Sequence, residues 1–157
     1  MGTHTGIAYN QGGHVMTRAW ESATAKEIAL WGKTRMRRRC DFRITRFFHF
    51  LHSLPKFDIV VFEDILFSSS TYQVQLWASL RGALWCVFGP EAETNIECVP
   101  SSTLKKFATN HGGADKMMMR SSLYKFWPEW KSATLSEDEV DALWLWYWAD
   151  KHLTHGK

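Results

Sequence analysis

The segment Phe57-Asp58-Ile59-Val60-Val61-Phe62-Glu63 restricts the fold more than any other stretch of the chain. From Ile59 to Phe62 it is apolar without interruption. A short unbroken apolar run reads as a strand covered on both faces, and such strands sit in sheets with helices packed on them. A carboxylate, Glu63, stands where this strand leaves the core. In open α/β sheets, sites gather at the carboxyl ends of strands. Glu63 is therefore the first catalytic candidate, set against the plainer reading of a solvated residue at a strand terminus.

A second acidic pair changes that balance. Ser136-Glu137-Asp138-Glu139 is a capping box that opens a helix to about His152. Asp138 and Asp141 are three apart on its first turns and project from one side. The helix dipole favours carboxylates there, which is the ordinary structural account of Asp138 and a weaker one of Asp141. With Glu63 they make three acids from two separate elements. Magnesium takes oxygen ligands, and two such ions about 4 Å apart activate water and stabilise the leaving oxygen in phosphodiester cleavage. Lys105, Lys106 and Lys116 are candidates to hold the scissile phosphate, although each alone reads as a solvent-facing lysine.

The other segments supply the frame. Ile7–Asn10 and His14–Trp20 read as strands joined by a turn at Gln11-Gly12-Gly13. A capping box at Thr24-Ala25-Lys26-Glu27 opens a helix expected to reach about Leu54, with Met36, Cys40, Ile44, Phe47, Leu51 and Leu54 as its apolar stripe. Arg35, Arg37, Arg38, Arg39, Arg43 and Arg46 fill its other faces, as a solvated surface or a nucleic-acid contact. Thr71–Phe88 reads as a helix with Leu76, Leu80, Leu84 and Val87 facing inward, stopped by Gly89-Pro90. A strand over 94–100, a short helix from Ser101, and a glycine loop over 110–116 leading to another helical start follow. Residues 121–134 are aromatic without a period and are expected to be irregular. Trp144, Trp146 and Trp148 cannot share one helix face, so the last helix must be covered on more than one side or meet a partner.

At 157 residues, with 45% apolar and 22% charged residues, the chain is expected to form one α/β domain over 1–157, a mixed sheet flanked by helices. Its net charge of +3 is small, so affinity for a polyanion would depend on local clustering. Cys40, Cys86 and Cys98 have neither disulfide nor zinc spacing and are expected as buried thiols in a reducing compartment. No secretory signal and no run of eighteen apolar residues is present, which implies a cytoplasmic location and no membrane association.

Four stretches resemble the RuvC-type Holliday-junction resolvases, specifically their phage and prophage branch. Gly2-Thr3-His4-Thr5-Gly6-Ile7-Ala8 resembles the family's first turn, and Val60-Val61-Phe62-Glu63-Asp64 the strand bearing its second acid. Val99–Thr109, continuing to Ala114-Asp115-Lys116, resembles its lysine-bearing segment, and Asp138–Leu143 its paired-aspartate helix. Arg81-Gly82 also fits, and the order is that of the family over nearly the whole chain.

The resemblance implies a ribonuclease-H-like fold and a two-magnesium nuclease, with Mn2+ able to substitute. It also implies a homodimer that cuts four-way DNA junctions. Glu63, Asp138 and Asp141 match the family's metal-binding acids, and Lys116 with Lys105 or Lys106 its active-site lysines. Phe67 or Tyr72 would serve as the aromatic wedge; Arg37, Arg38 and Arg39 have no specific counterpart in the family and are candidate DNA contacts on their charge alone. The family's first aspartate would precede Met1, so the expectation is either a truncated or misassigned start or a protein that lacks this acid and its first strand. Junctions are then expected to be bound but cleaved little or not at all. A catalytically inactive junction-binding or scaffolding protein is the alternative. An actin-like phosphate-binding domain, suggested by the same glycine turn, needs far more chain.

Overall fold

A computed structural model of the chain describes residues 4–33, 41–64, 70–89 and 94–154. They form four strands, β1 (His4–Gln11), β2 (His14–Glu21), β3 (Ile59–Asp64) and β4 (Asn95–Pro100). Six helices accompany them: α1 (Ala25–Lys33), α2 (Phe42–His52), α3 (Thr71–Phe88), α4 (Ser101–Thr109), α5 (Lys116–Phe126) and α6 (Glu137–Leu153). A 3-10 helix, Pro128–Ser132, links α5 to the segment before α6. The chain folds as two compact units.

The first unit is built on α1, α2 and α3. The expected long helix from Thr24 is two helices. Asp41 caps α2 afresh, its side chain accepting the Arg43 N–H at 3.0 Å. The Thr24–Glu27 capping box is present, with the Glu27 carboxylate accepting the Thr24 N–H at 2.9 Å. Phe47, Phe50 and Leu51 of α2 and Leu76, Leu80, Leu84 and Phe88 of α3 are buried. Arg43 and Arg46, expected on open faces, are committed within the unit. Arg43 is only 6% exposed and forks onto Asp41, with Nε to Oδ1 at 3.0 Å and Nη2 to Oδ2 at 2.6 Å. Arg46 pairs with Glu27 at 2.8 Å, and that guanidinium together with Thr24 holds the Glu27 carboxyl down at about 2. Arg35, Arg37, Arg38, Arg39, Cys40 and Phe67 lie outside the described residues.

The second unit holds the β1–β2 hairpin, the carboxyl ends of β3 and β4, and α4, α5 and α6. Gly12 and Gly13 close the hairpin at φ of +60° and +84°, the two positive angles that a two-residue turn matched to strand twist requires. Val99, Leu104, Met119, Leu123, Val140, Leu143 and Trp144 form the core, and Ala8, Val15 and Val61 lay the strands against it. Leu123 has no exposed surface, and its burial contributes roughly 1.5–3 kcal/mol. Trp146 and Trp148 are half-buried beside buried Trp144, so α6 is covered on more than one side as its sequence requires.

Three expectations are corrected. Among the described residues the strands form two separate two-stranded sheets, β1–β2 and β3–β4, rather than one mixed sheet. Residues 121–126 continue α5 and 128–132 form the 3-10 helix, because the aromatic side chains there pack on Trp144 and Tyr147 rather than along a helical stripe. Cys86 and Cys98 are exposed, since Leu84 and Phe88 take the inner face of α3 and Val99 that of β4.

Candidate functional site

The site starts from strand pairing. The Thr94 hydroxyl donates to the Phe57 carbonyl at 2.7 Å and the Asn95 N–H to the Asp58 carbonyl at 2.8 Å. Pairing thus advances along β3 and β4 together, as in parallel strands joined by a helical crossover. Both carboxyl ends then fall on one side. Glu63 is at the end of β3, and β4 passes at Pro100 directly into α4, one turn of which carries Lys105.

The capping box of α6 is complete. Ser136 Oγ accepts the Glu139 N–H at 3.2 Å, and the Glu139 carboxylate accepts the Ser136 N–H at 2.9 Å. It sets Asp138 and Asp141 on the first turns, where the dipole favours negative charge. Gly6 of β1 lies directly against this turn. A Cβ on Gly6 would collide with the Asp138 carbonyl and the Glu139 nitrogen, so only glycine lets the strand approach. Gly6→Ala is expected to cost about 1–3 kcal/mol by overpacking and to displace the Asp138 turn. A denaturant melt reads the first effect, and the carboxyl titration of Asp141, followed by NMR, reads the second.

Asp141 is where the acids meet. Its carboxyl is pushed up to about 6, first by burial, then by the charges of Glu63 and Asp138, while Lys116 and Lys105 pull it back. Lys116 opens α5, with Asp115 capping the helix by accepting the Met118 N–H at 2.8 Å. A lysine opposes the dipole at that end. It is held by an ion pair to Glu137, which raises its pKa, helped by Asp138 and Asp141.

The structure therefore places Glu63, Asp138, Lys105 and Lys116 within electrostatic reach of Asp141. Lys106, the neighbour of Lys105 on α4, is exposed to solvent. Tyr72 belongs to the first unit. Its hydroxyl is bonded to Asp41 and Arg43, its ring contacts Trp31 at 5.6 Å, and burial and the Asp41 carboxylate push it up to about 12. Phe67, Arg37, Arg38 and Arg39 are outside the described residues. Sequence reasoning missed Glu137, although its place at the first position of α6 beside the acid pair was a usable signal.

Carboxylate oxygens are the donors that a hard cation prefers. Among the described residues, however, no group of three or more His, Cys, Asp or Glu is arranged to hold a metal ion. Glu63, Asp138 and Asp141 act on one another as charges without forming such a group among the described residues.

No protein-family profile matches the chain, and no curated protein matches it in sequence. Among solved structures, Thermus thermophilus RuvC is similar, with a TM-score of 0.61 at 17% identity, over 91% of this chain and 84% of that one. The chain shares a RuvC-like α/β fold.

Proposed function

We propose that this protein is a structure-specific DNA endonuclease of the RuvC kind that binds four-way junctions and hydrolyses phosphodiester bonds in them. Glu63, Asp138 and Asp141 are its acids, and Lys105 and Lys116 the cations that face the phosphate. The active form is a homodimer matching the symmetry of the junction, charged with Mg2+ or Mn2+. The observation that carries this reading is the pressure of Glu63 and Asp138 on Asp141, acids from two distant parts of the chain within electrostatic reach of one another. The resemblance of the segments around them to the resolvases supplies the substrate.

A second reading, junction binding without cleavage, is favoured by the lack of a three-donor cage among the described residues. One experiment separates the two. A synthetic four-way junction and a duplex of equal length are bound and digested with and without Mg2+, at several salt concentrations. The endonuclease reading expects symmetric nicks that need the cation and fall at least a hundredfold in Glu63→Gln. The binding reading expects tight junction binding, steeply weakened by salt, and no nicks. Equal affinity for junction and duplex removes both.

A further inference from the structure

At the tip of the β1–β2 hairpin, within the second unit, lies a half-open cleft of about 280 Å3. Trp127, Trp130 and Trp146 line it together with His14, Glu129 and Leu143. Three half-buried indoles around one concave space are costly to leave facing water, since aromatic rings bury more apolar area than any other side chains. Trp127 is held in place from behind, 4.8 Å from the Phe126 ring, 4.9 Å from Tyr147 and 5.6 Å from Trp144. Among the described residues, Trp130 and Trp146 make no ring contact with each other or with Trp127, so space is left between these rings.

The polar groups of the cleft are equally uncommitted. The three indole N–H groups, the His14 ring and the Glu129 carboxylate have no hydrogen-bond partner among the described residues. Indole N–H groups only donate, a carboxylate only accepts, and a neutral imidazole does both. A ligand that used them all would be flat enough to lie against an indole and would carry donors and acceptors on its rim. A methylated ammonium ion satisfies the ring faces and the carboxylate, but leaves the indole donors without a partner. A nucleobase satisfies both requirements: its face stacks on aromatic side chains, and its edge presents donors and acceptors.

We propose that this cleft binds a nucleobase and takes one unpaired base of a branched or bulged DNA bound by the protein. The inference rests on the DNA-binding reading above but uses none of the acidic site.

The test is a pair of duplexes of equal length, one fully paired and one with a single-base bulge carrying 2-aminopurine, whose fluorescence reports stacking. The wild-type protein is expected to bind the bulged duplex about tenfold more tightly, the scale of one base–aromatic stack, and to quench the probe. Trp130→Ala and Trp146→Ala should each reduce that preference to within about twofold while leaving paired-duplex affinity unchanged, and Trp130→Phe, which keeps a ring, should retain most of it.

A wild-type protein without bulge preference, or alanine variants that keep it, overturns the inference, and so does displacement of the bulge by tetramethylammonium at concentrations that leave paired DNA bound. Junction binding without bulge preference leaves the function standing and sinks only the cleft. Bulge preference without junction preference does the reverse, and failure to bind any DNA sinks both.

Discussion

Asp41→Ala should be the most damaging single substitution among the described polar residues, costing about 3–5 kcal/mol of stability in a denaturant melt. Asp41 and Arg43 are 8% and 6% exposed, and their side chains are joined by three contacts between 2.6 and 3.2 Å. Tyr72 adds its hydroxyl to the same pair, and the Arg43 guanidinium lies 5.6 Å from the centre of the Tyr72 ring and 6.0 Å from that of Trp31. Removing the carboxylate strands a buried guanidinium, and that uncompensated charge accounts for most of the cost. It also removes the cap of α2.

The double variant Asp41→Ala with Arg43→Met should therefore be less destabilised than Asp41→Ala alone. Additive losses would show that the pair is not coupled. The pH dependence follows the same geometry. Burial pushes the Asp41 carboxyl up, but the hydrogen bonds from Arg43 and Tyr72 outweigh it and hold it below its ordinary value of 3.8. Its contribution is full above that value and is lost as the pH falls through the lower, folded-state value. Asp41→Ala should accordingly flatten the acid limb of the stability profile.

Asp141→Asn should do the opposite and stabilise the protein at neutral pH, by about 1–3 kcal/mol. The wild-type carboxyl titrates near 6 in the fold, against an ordinary 3.8. A raised carboxyl means that the native state binds the proton more tightly than the unfolded chain. Stability then falls as the pH rises from about 4 to about 6, and the full penalty is present above that window. The gap between the folded and the ordinary value corresponds to roughly 3 kcal/mol, which is the upper end of the gain. The gain should vanish below about pH 4, where the wild-type side chain is neutral in both states. Urea melts of wild type and Asp141→Asn from about pH 4 to about pH 8 measure it. A difference that does not change with pH would mean that packing, rather than charge, sets the effect. An acid kept at a cost to the fold points to a role outside stability, which is why the same variant should also abolish any junction cleavage.

The two capping boxes, the limits of α3 at Thr71 and Phe88, and the strands before Glu63 and Pro100 were legible in the chain, because each depends on neighbours a few residues away. The pairing of Asp138 with Asp141 was legible for the same reason, since helical spacing alone puts them on one side. Less could be read where the partner is remote. Arg43 looks solvent-facing until Asp41 and Tyr72 close on it, and Cys86 looks buried until the neighbours Leu84 and Phe88 take the inner face. Lys105 and Lys106 are indistinguishable as a dipeptide, and only the position of Asp141 relative to α4 separates them. The cleft of Trp127, Trp130 and Trp146 joins the 3-10 helix, α6 and the hairpin tip, three elements whose sequences give no sign of meeting.

The sequence by itself determined where helices and strands begin, which residues carry acid and base, and which segments resemble a nuclease. Those properties reside in short-range hydrogen bonding and side-chain chemistry. Only the tertiary structure decided which charges are buried, which acids press on one another and which aromatics line a cavity, because solvation and Coulomb interaction depend on distance in space rather than along the chain.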